Sequence, residues 1–302
     1  MSFAPSLFTR YFPRAALRPS TSQLRPHSPL RLLSLSFNSN FTRVMSSGPP
    51  ASSEGFDLYS VKTPNGLKIN IALEELNALG TPIKYKEYTI DFSKNEQKEP
   101  WFLKINGNGR IPAVIDRSNN NLAVWESASI LRYIAEKYDT EYKLHFNNLE
   151  EETDMYTWIF FQHGGYGPIA GQSGHFLQAA PEKVPYAAKR YLDESARLLQ
   201  VYENRLSEDG GREFLAGKGK GKFSYADIVT FPWIRAHPYS LGIVSLEKDY
   251  PNVTKWIERI AAREGTSKAI KGDMVEKIKS KEGWEKEVEK KREWVYADEE
   301  KA

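Results

Sequence analysis

Three short clusters stand at the boundaries between elements. Ile111-Pro112 follows the glycine-rich turn Asn106-Gly107-Asn108-Gly109 and opens a strand. A proline there cannot donate to a sheet ladder, so the first backbone groups of that strand are free for another partner. A cis peptide at this bond would turn the N–H and C=O of Ile111 outward, where an extended peptide could pair as an added strand. A trans, edge-strand proline is the plainer alternative. Trp125-Glu126-Ser127-Ala128-Ser129 lies at a strand-to-helix junction. Helix N-termini present unpaired N–H groups and a positive dipole end, a ready site for a carboxylate. Ser127 adds a hydroxyl and Glu126 can hold an ammonium group, so the pair suits an amino-acid zwitterion or, more simply, caps the helix. Ser224-Tyr225-Ala226-Asp227, after the basic loop 217–222, is a capping box with a structural role only.

The elements that must position these clusters begin abruptly at Phe56. FDLYSV (56–61) has the character of a short buried strand. Thr63-Pro64-Asn65-Gly66 then starts a helix with apolar residues at Leu67, Ile71, Leu73, Leu76 and Leu79, closed by Gly80. Thr63 suits the N-cap and Pro64 the first helical position, where its missing N–H is not needed. An alternating strand (83–90) and a polar loop lead to the turn at 106–109. IPAVID (111–116) and LAVWE (122–126) form a hairpin across Arg117–Asn121, and a helix follows with Ile130, Leu131, Ile134 and Tyr138 on one face. The order strand–helix–strand–helix–strand–strand–helix predicts an α/β, thioredoxin-like domain over residues 54–140. A linker follows. The strong periods at 150–164, 184–207, 224–236 and 251–264 are helical, giving an all-α domain over 148–270. From Lys271 the chain is dense in charge of both signs, which predicts a solvated helix or a disordered tail over 271–302.

Composition narrows the chemistry. The chain has 302 residues and no cysteine, which excludes disulfides, zinc–thiolate sites and a nucleophilic thiol of its own. Any thiol chemistry must be brought by a ligand. His163 and His175 lack metal-ligand spacing, so no metal is expected. All charge before Glu54 is arginine (Arg10, Arg14, Arg18, Arg25, Arg31 and Arg43) in a Ser- and Pro-rich context. That is the composition of a mitochondrial transit peptide, and residues 1–53 are expected to be a targeting leader. Met45 offers a second start for a cytosolic form. Without those arginines the formal charge of +3 turns slightly negative, so nucleic acid is a poor partner. No apolar run reaches the roughly 20 residues that span a bilayer.

Strand–TPNG–helix, GNGRIPAVID, WESASILRYIAEKY and FLAG–SYADI together resemble the cytosolic-type glutathione transferases over Phe56 to Ile270. Thr63-Pro64-Asn65-Gly66, Gly167-Pro168, Gly171-Gln172, His175-Phe176 and Arg190-Tyr191 resemble the nu class and its fungal nitrogen-regulator relatives, known for glutathione-dependent disulfide-bond reductase and peroxidase activity. The resemblance implies glutathione as co-substrate and a homodimer. It implies that Ile111 pairs with the cysteinyl unit beside cis Pro112, that Arg110 joins that turn, and that Glu126 and Ser127 hold the γ-glutamyl end. Gln97 would reach the glycyl end or a second glutathione, and Arg190 would approach from the helical domain. Tyr166, His175, Phe176 and Trp233 would line a second-substrate pocket, although aromatics at helical spacing are more often core.

Asn65 stands where other classes of the family place a serine, tyrosine or cysteine near the sulfur. Its amide can donate a hydrogen bond to a thiolate but cannot take a proton, and Thr63 can donate a second. A free thiol near pKa 8.5 is only a few per cent ionised at neutral pH, so such donors at the positive end of a helix would favour the thiolate. The acceptor would be a small disulfide or a peroxide. Conjugation of glutathione to an electrophile, or a non-catalytic regulatory or ligand-binding role, are the alternatives.

Overall fold

The computed structural model describes residues 48–296; the arginine-rich stretch expected to act as a leader, and Met45 within it, lie outside them apart from residues 48–53. Strand β1 (Phe56–Ser60) is buried along its whole length because both its edges and both its faces are covered. It pairs in parallel with β2 (Tyr85–Thr89) and antiparallel with β3 (Ala113–Asp116), which pairs in turn with β4 (Leu122–Trp125), giving the order β2-β1-β3-β4. Helix α1 (Pro64–Ala78) makes the crossover that a parallel pair requires. A short α2 (Pro100–Leu103) precedes β3, and α3 (Ser127–Lys137) follows β4. This is the thioredoxin-like arrangement that the element order predicts. Asp57 is fully buried within β1. Its carboxylate accepts from Arg117 Nε at 2.7 Å and Nη2 at 2.6 Å, so the buried charge has its counter-ion.

Helix α1 is buried through its middle. Every residue from Gly66 to Leu76 is buried, polar ones included. Such a helix has no solvent face, and each polar side chain must find a protein partner. Asn70 Nδ2 donates to Glu87 at 3.0 Å. Glu74 accepts from Tyr85 and pairs with Lys268 at 2.6 Å. Glu75 accepts from Arg263 Nε and Nη2 and from the Thr266 N–H and hydroxyl, at 2.6–3.0 Å.

Of these partners, Lys268, Arg263 and Thr266 come from the helical domain. It comprises α4 (Leu149–Phe161), α5 (Gly167–Gly174), α6 (Pro185–Ser207), α7 (Tyr225–Arg235), α8 (His237–Ser240), α9 (Pro251–Ala261) and α10 (Glu264–Ile270). The π-helical turns Gln162–Tyr166 and His175–Ala179 flank α5, in a glycine-bearing run where no apolar period was legible. The capping box at α7 is present, with the Ser224 N–H donating to Asp227 at 3.0 Å. Asp227 is fully buried and also accepts from the Leu215 N–H and from Trp256 Nε1, so it ties three segments together.

The chain after Lys271 is helical, one of the two forms expected of it, but it is docked through a few apolar residues and not solvated all round. It forms α11 (Met274–Lys279) and α12 (Trp284–Tyr296), which dock through Val275, Val288 and Val295, each at most 7% exposed. The Asp273 carboxylate pairs with Arg235 of α7. Among the described residues no helix is long and apolar enough to cross a membrane.

Helix α10 crosses α1 at Gly265, where a Cβ would sit 2.5 Å from the Glu75 nitrogen and 2.6 Å from the Glu74 carbonyl carbon. Gly265→Ala is therefore expected to lower the free energy of unfolding by about 1–3 kcal/mol through overpacking. Urea denaturation measures this. A gain of about 1 kcal/mol, the intrinsic helix preference of alanine, would show that the two helices are not in close contact.

Candidate functional site

The N-terminal end of α1, the loop before α2, the approach to β3 and the start of α3 converge on one cavity of about 460 Å³. Thr63, Asn65, Gln97, Arg110, Ile111 and Glu126 line it, with Lys98 and Asn108 on its rim. Six of the predicted site residues are thus brought together from positions up to 63 residues apart in sequence.

Each is placed by a local device. Thr63 is the N-cap of α1: its Oγ1 accepts from the Gly66 N–H and donates to the Val61 carbonyl, both at 3.4 Å. Gly109 has φ +61, and a Cβ there would meet the Gln97 carbonyl oxygen at 2.8 Å, so only glycine lets the turn close onto that loop. Asn106 Nδ2 pins the turn by donating to the Arg110 carbonyl at 2.7 Å. The Ile111–Pro112 peptide is cis. Ile111 itself precedes the first paired residue of β3, Ala113, and Pro112 is buried behind it. Gln97 presents a buried Oε1 that has no hydrogen-bond partner.

Glu126 occupies the N-cap position of α3 with φ +68 yet makes no side-chain cap. Its side chain is exposed and forms no ion pair among the described residues. A non-glycine residue at positive φ costs of order 1–3 kcal/mol and persists where neighbours over-determine it, often at sites of function. The capping reading of Glu126 is thereby removed, and its carboxylate is left facing the cavity. Ser127, the first residue of α3, is 4% exposed.

Asn65 has the most informative contact. Its Oδ1 accepts from Trp233 Nε1 of α7 at 2.9 Å. An indole N–H can only donate, which fixes the oxygen of the amide toward Trp233 and turns Nδ2 away from it. Nδ2 makes no hydrogen bond among the described residues, so two N–H donors remain at the cavity wall.

The remaining candidates lie elsewhere. Tyr166 is fully buried, edge-on to Tyr202 at 5.6 Å, and is a core residue rather than a pocket wall. Phe176 stacks on Tyr191 at 5.6 Å with exposed His175 beside it, outside the Asn65 cavity. Arg190 is exposed and lines a different depression, with Tyr186 and Tyr191. Trp233 is placed to orient Asn65, a role its aromatic character alone does not suggest. Sequence reasoning also missed Lys68, Gln162 and His163, which meet behind Ser127. The available signal was a lysine set within the apolar run Leu67, Ile69, Ile71.

Comparison with known proteins bears on what this cavity takes. Residues 54–136 match the family model for the glutathione S-transferase N-terminal domain, and residues 168–264 match that for the C-terminal domain. A thioredoxin-like domain carrying its cavity against an all-helical second domain defines the class, and the chain belongs to the glutathione S-transferase superfamily, in the subgroup around Ure2. Disulfide-bond oxidoreductase YfcG of Escherichia coli is 38% identical over 218 residues, 71% of this chain and 94% of that protein. Protein URE2 of Candida albicans is 33% identical over 250 residues, 73% of this chain and 71% of that protein. Among solved structures, glutathione transferase URE2P6 of Phanerochaete chrysosporium in complex with oxidized glutathione has a TM-score of 0.65 at 39% identity, covering 72% of this chain and 94% of that one. Ure2p in complex with glutathione gives 0.67 at 32% identity, covering 74% and 96%.

Two buried histidines make stability depend on pH. Burial holds His163 and His237 down to about 4, from an ordinary 6.5. The folded protein thus refuses protons that the unfolded chain accepts between 6.5 and 4, and stability present above 6.5 is lost as pH falls through that window. Asp227, pushed up to about 6 by burial from 3.8, has the opposite sign across 3.8 to 6, one group against two. The melting temperature is expected to fall on acidification from pH 7 to 5. A flat or rising profile would contradict the buried, neutral state of the two rings.

Proposed function

We propose that this protein is a glutathione-dependent disulfide-bond reductase or peroxidase in which the Asn65 amide stabilises the thiolate of bound glutathione. The observation that carries the reading is the Trp233–Asn65 hydrogen bond, which commits the amide oxygen and leaves Nδ2 free at the cavity. A donor without a proton-accepting atom suits a thiolate and not a general base. Thr63, at the same helix end, becomes the second donor when its one hydroxyl hydrogen turns from the Val61 carbonyl, 3.4 Å away, to the thiolate, and the positive end of α1 adds to both. Ile111 pairs with the peptide backbone of glutathione, Gln97 and Arg110 reach its glycyl end, and Glu126 and Ser127 hold its γ-glutamyl end.

The chemistry needs no residue of the protein to change oxidation state. The thiolate attacks one sulfur of a disulfide, a new S–S bond forms as the old one breaks, and the departing thiolate takes a proton. A second glutathione attacks the mixed disulfide and leaves as oxidised glutathione. With a hydroperoxide, the thiolate attacks the terminal oxygen and the alcohol departs. The resulting sulfenic acid then condenses with a second glutathione, releasing water. The names of the relatives, a disulfide-bond oxidoreductase and a transferase bound to oxidized glutathione, support the redox reading over conjugation.

The same proposal includes two properties of the whole molecule. A homodimer is supported by apolar side chains left in water, Leu149 at 81% and Phe160 at 67% exposed on α4. Mitochondrial targeting rests on the arginine-rich, acid-free residues 1–53 alone.

Purified protein with glutathione and a small mixed disulfide, a hydroperoxide or an aryl halide separates the activities. Turnover is expected with the first two. Binding of glutathione with no turnover in any assay would leave a carrier role. Asn65→Ala is expected to slow disulfide turnover about 10²-fold, in the range of removing one charge-stabilising donor, with the melting temperature nearly unchanged. Unaltered kinetics would reduce Asn65 to a helix-end residue.

A further inference from the structure

Behind Ser127 lies a polar cluster that the proposed chemistry does not use. Lys68 of α1 is 1% exposed, and no carboxylate stands within ion-pair distance of it among the described residues. Its Nζ is 2.8 Å from Gln162 Oε1, 3.3 Å from His163 Nε2 and 3.5 Å from Ser127 Oγ. Ser127 Oγ is in turn 3.1 Å from His163 Nε2. A buried amine ringed by neutral groups has no structural counter-ion, an arrangement that burial penalises steeply when the amine is charged.

The hydrogen-bond count ties the charge of Lys68 to the direction of the Ser127 hydroxyl. His163 Nδ1 lies 3.0 Å from the Ile159 carbonyl, which can only accept, so Nδ1 carries the ring hydrogen and Nε2 is a bare acceptor. With Lys68 neutral, the Ser127 hydrogen is drawn inward, to His163 Nε2 or to the amine lone pair. The hydroxyl then shows only lone pairs to the cavity, which repel a carboxylate. An ammonium has three N–H donors, and Gln162 Oε1, His163 Nε2 and Ser127 Oγ are three acceptors. Once Lys68 is charged, those acceptors are taken and the Ser127 hydrogen must turn outward.

We infer that Lys68, with Gln162 and His163, is a proton-coupled receiver for the α-carboxylate of the ligand's amino-acid head, so that docking of that carboxylate on Ser127 draws a proton onto Lys68. The inference rests on the glutathione reading of the cavity and adds a group acting through Ser127, a positioning residue that touches no reacting atom. The charges around Lys68 agree with it. Burial lowers the amine well below the usual lysine range, and the only opposing influence is the carboxylate of Glu126, at the start of α3. His163, from the turn after α4, is itself kept neutral by burial and by Lys68. The charged groups that reach α1 from α10 are engaged further along the helix, Arg263 with Glu75 and Lys268 with Glu74. A ligand ammonium on Glu126 offsets that carboxylate, while the ligand carboxylate lies one hydroxyl from Lys68 and supplies the nearer negative charge.

Titration calorimetry of the full chain with S-methylglutathione, in buffers of different ionisation enthalpy at neutral pH, tests this. The methylated sulfur cannot release a proton, so buffer dependence reports the protein and the head group alone. Net proton uptake on binding is expected from the wild type. Lys68→Met should abolish the uptake and weaken binding about tenfold for each pKa unit that Lys68 gains in the complex. His163→Gln keeps an acceptor in place and should retain the uptake. Binding without buffer dependence in the wild type would overturn the inference while leaving the glutathione reading intact. Uptake that survives Lys68→Met but vanishes in His163→Gln would assign the proton to the ring and overturn it too. Failure of S-methylglutathione to bind at all would sink the reading of the cavity itself. Should Lys68→Met not fold, the wild-type slope and the His163→Gln variant decide.

Discussion

Helix α1 shows no face to water between Gly66 and Leu76, so the carboxylates of Glu74 and Glu75 and the amide N–H of Asn70 are met by elements packed around it. That constraint sets the relation of the thioredoxin-like sheet to the helical domain. Glu75 alone receives four hydrogen bonds from Arg263 and Thr266, and Gly265 removes the side chain that would keep α10 at a distance. The N-terminal end of the same helix carries Thr63 and Asn65, and its next turn carries Lys68. A helix locked along its length holds those three side chains in place without needing a rigid loop.

The cavity at that helix end is built almost wholly from donors. The Asn65 amide, the Arg110 guanidinium, the Thr63 hydroxyl and the start of α3 all suit a ligand that is negatively charged at several points. The Gln97 Oε1 and Glu126 are the exceptions, and the unpaired carboxylate of Glu126 beside Ser127 makes the far end of the cavity complementary to an amino-acid head. In a chain without cysteine, these features assign the sulfur chemistry to the ligand and leave the protein to hold charge in position. The helical domain takes part through Trp233, which reaches across from α7 to hold the amide of Asn65, and through His163, which meets the Ser127 hydroxyl.

The parts of this arrangement that were legible in sequence are those written in local chemistry. The Thr63–Pro64 helix start, the glycine turn before Ile111–Pro112, the hairpin and the Ser224–Asp227 box each depend on residues a few positions apart. Contacts between residues far apart in sequence left no such trace. Tyr166 sits in a glycine-bearing run with no readable period, and it is buried edge-on to Tyr202, far along α6. His175, Phe176 and Arg190 were grouped with the site, yet Phe176 packs on α6 with His175 beside it and Arg190 projects from α6, none of them lining the Asn65 cavity. Trp233 was assigned to a pocket wall because an aromatic side chain suggests apolar contact, whereas its polar N–H makes the decisive bond. The docked helices after Lys271 were hidden by charge density, since three valines among many lysines and glutamates give no amphipathic signal.

The ionisation of bound glutathione is the property on which this account turns, and ultraviolet absorbance of the thiolate as a function of pH reads it directly. With the wild-type protein saturated with glutathione, the thiol is expected to titrate below the ordinary value near 8.5. Trp233→Phe, which frees the amide to rotate, should move that titration part of the way back, and Asn65→Ala should move it further. A bound thiol that titrates like free glutathione in the wild type, or at the same pH in all three proteins, would contradict the claim that Asn65 stabilises the thiolate.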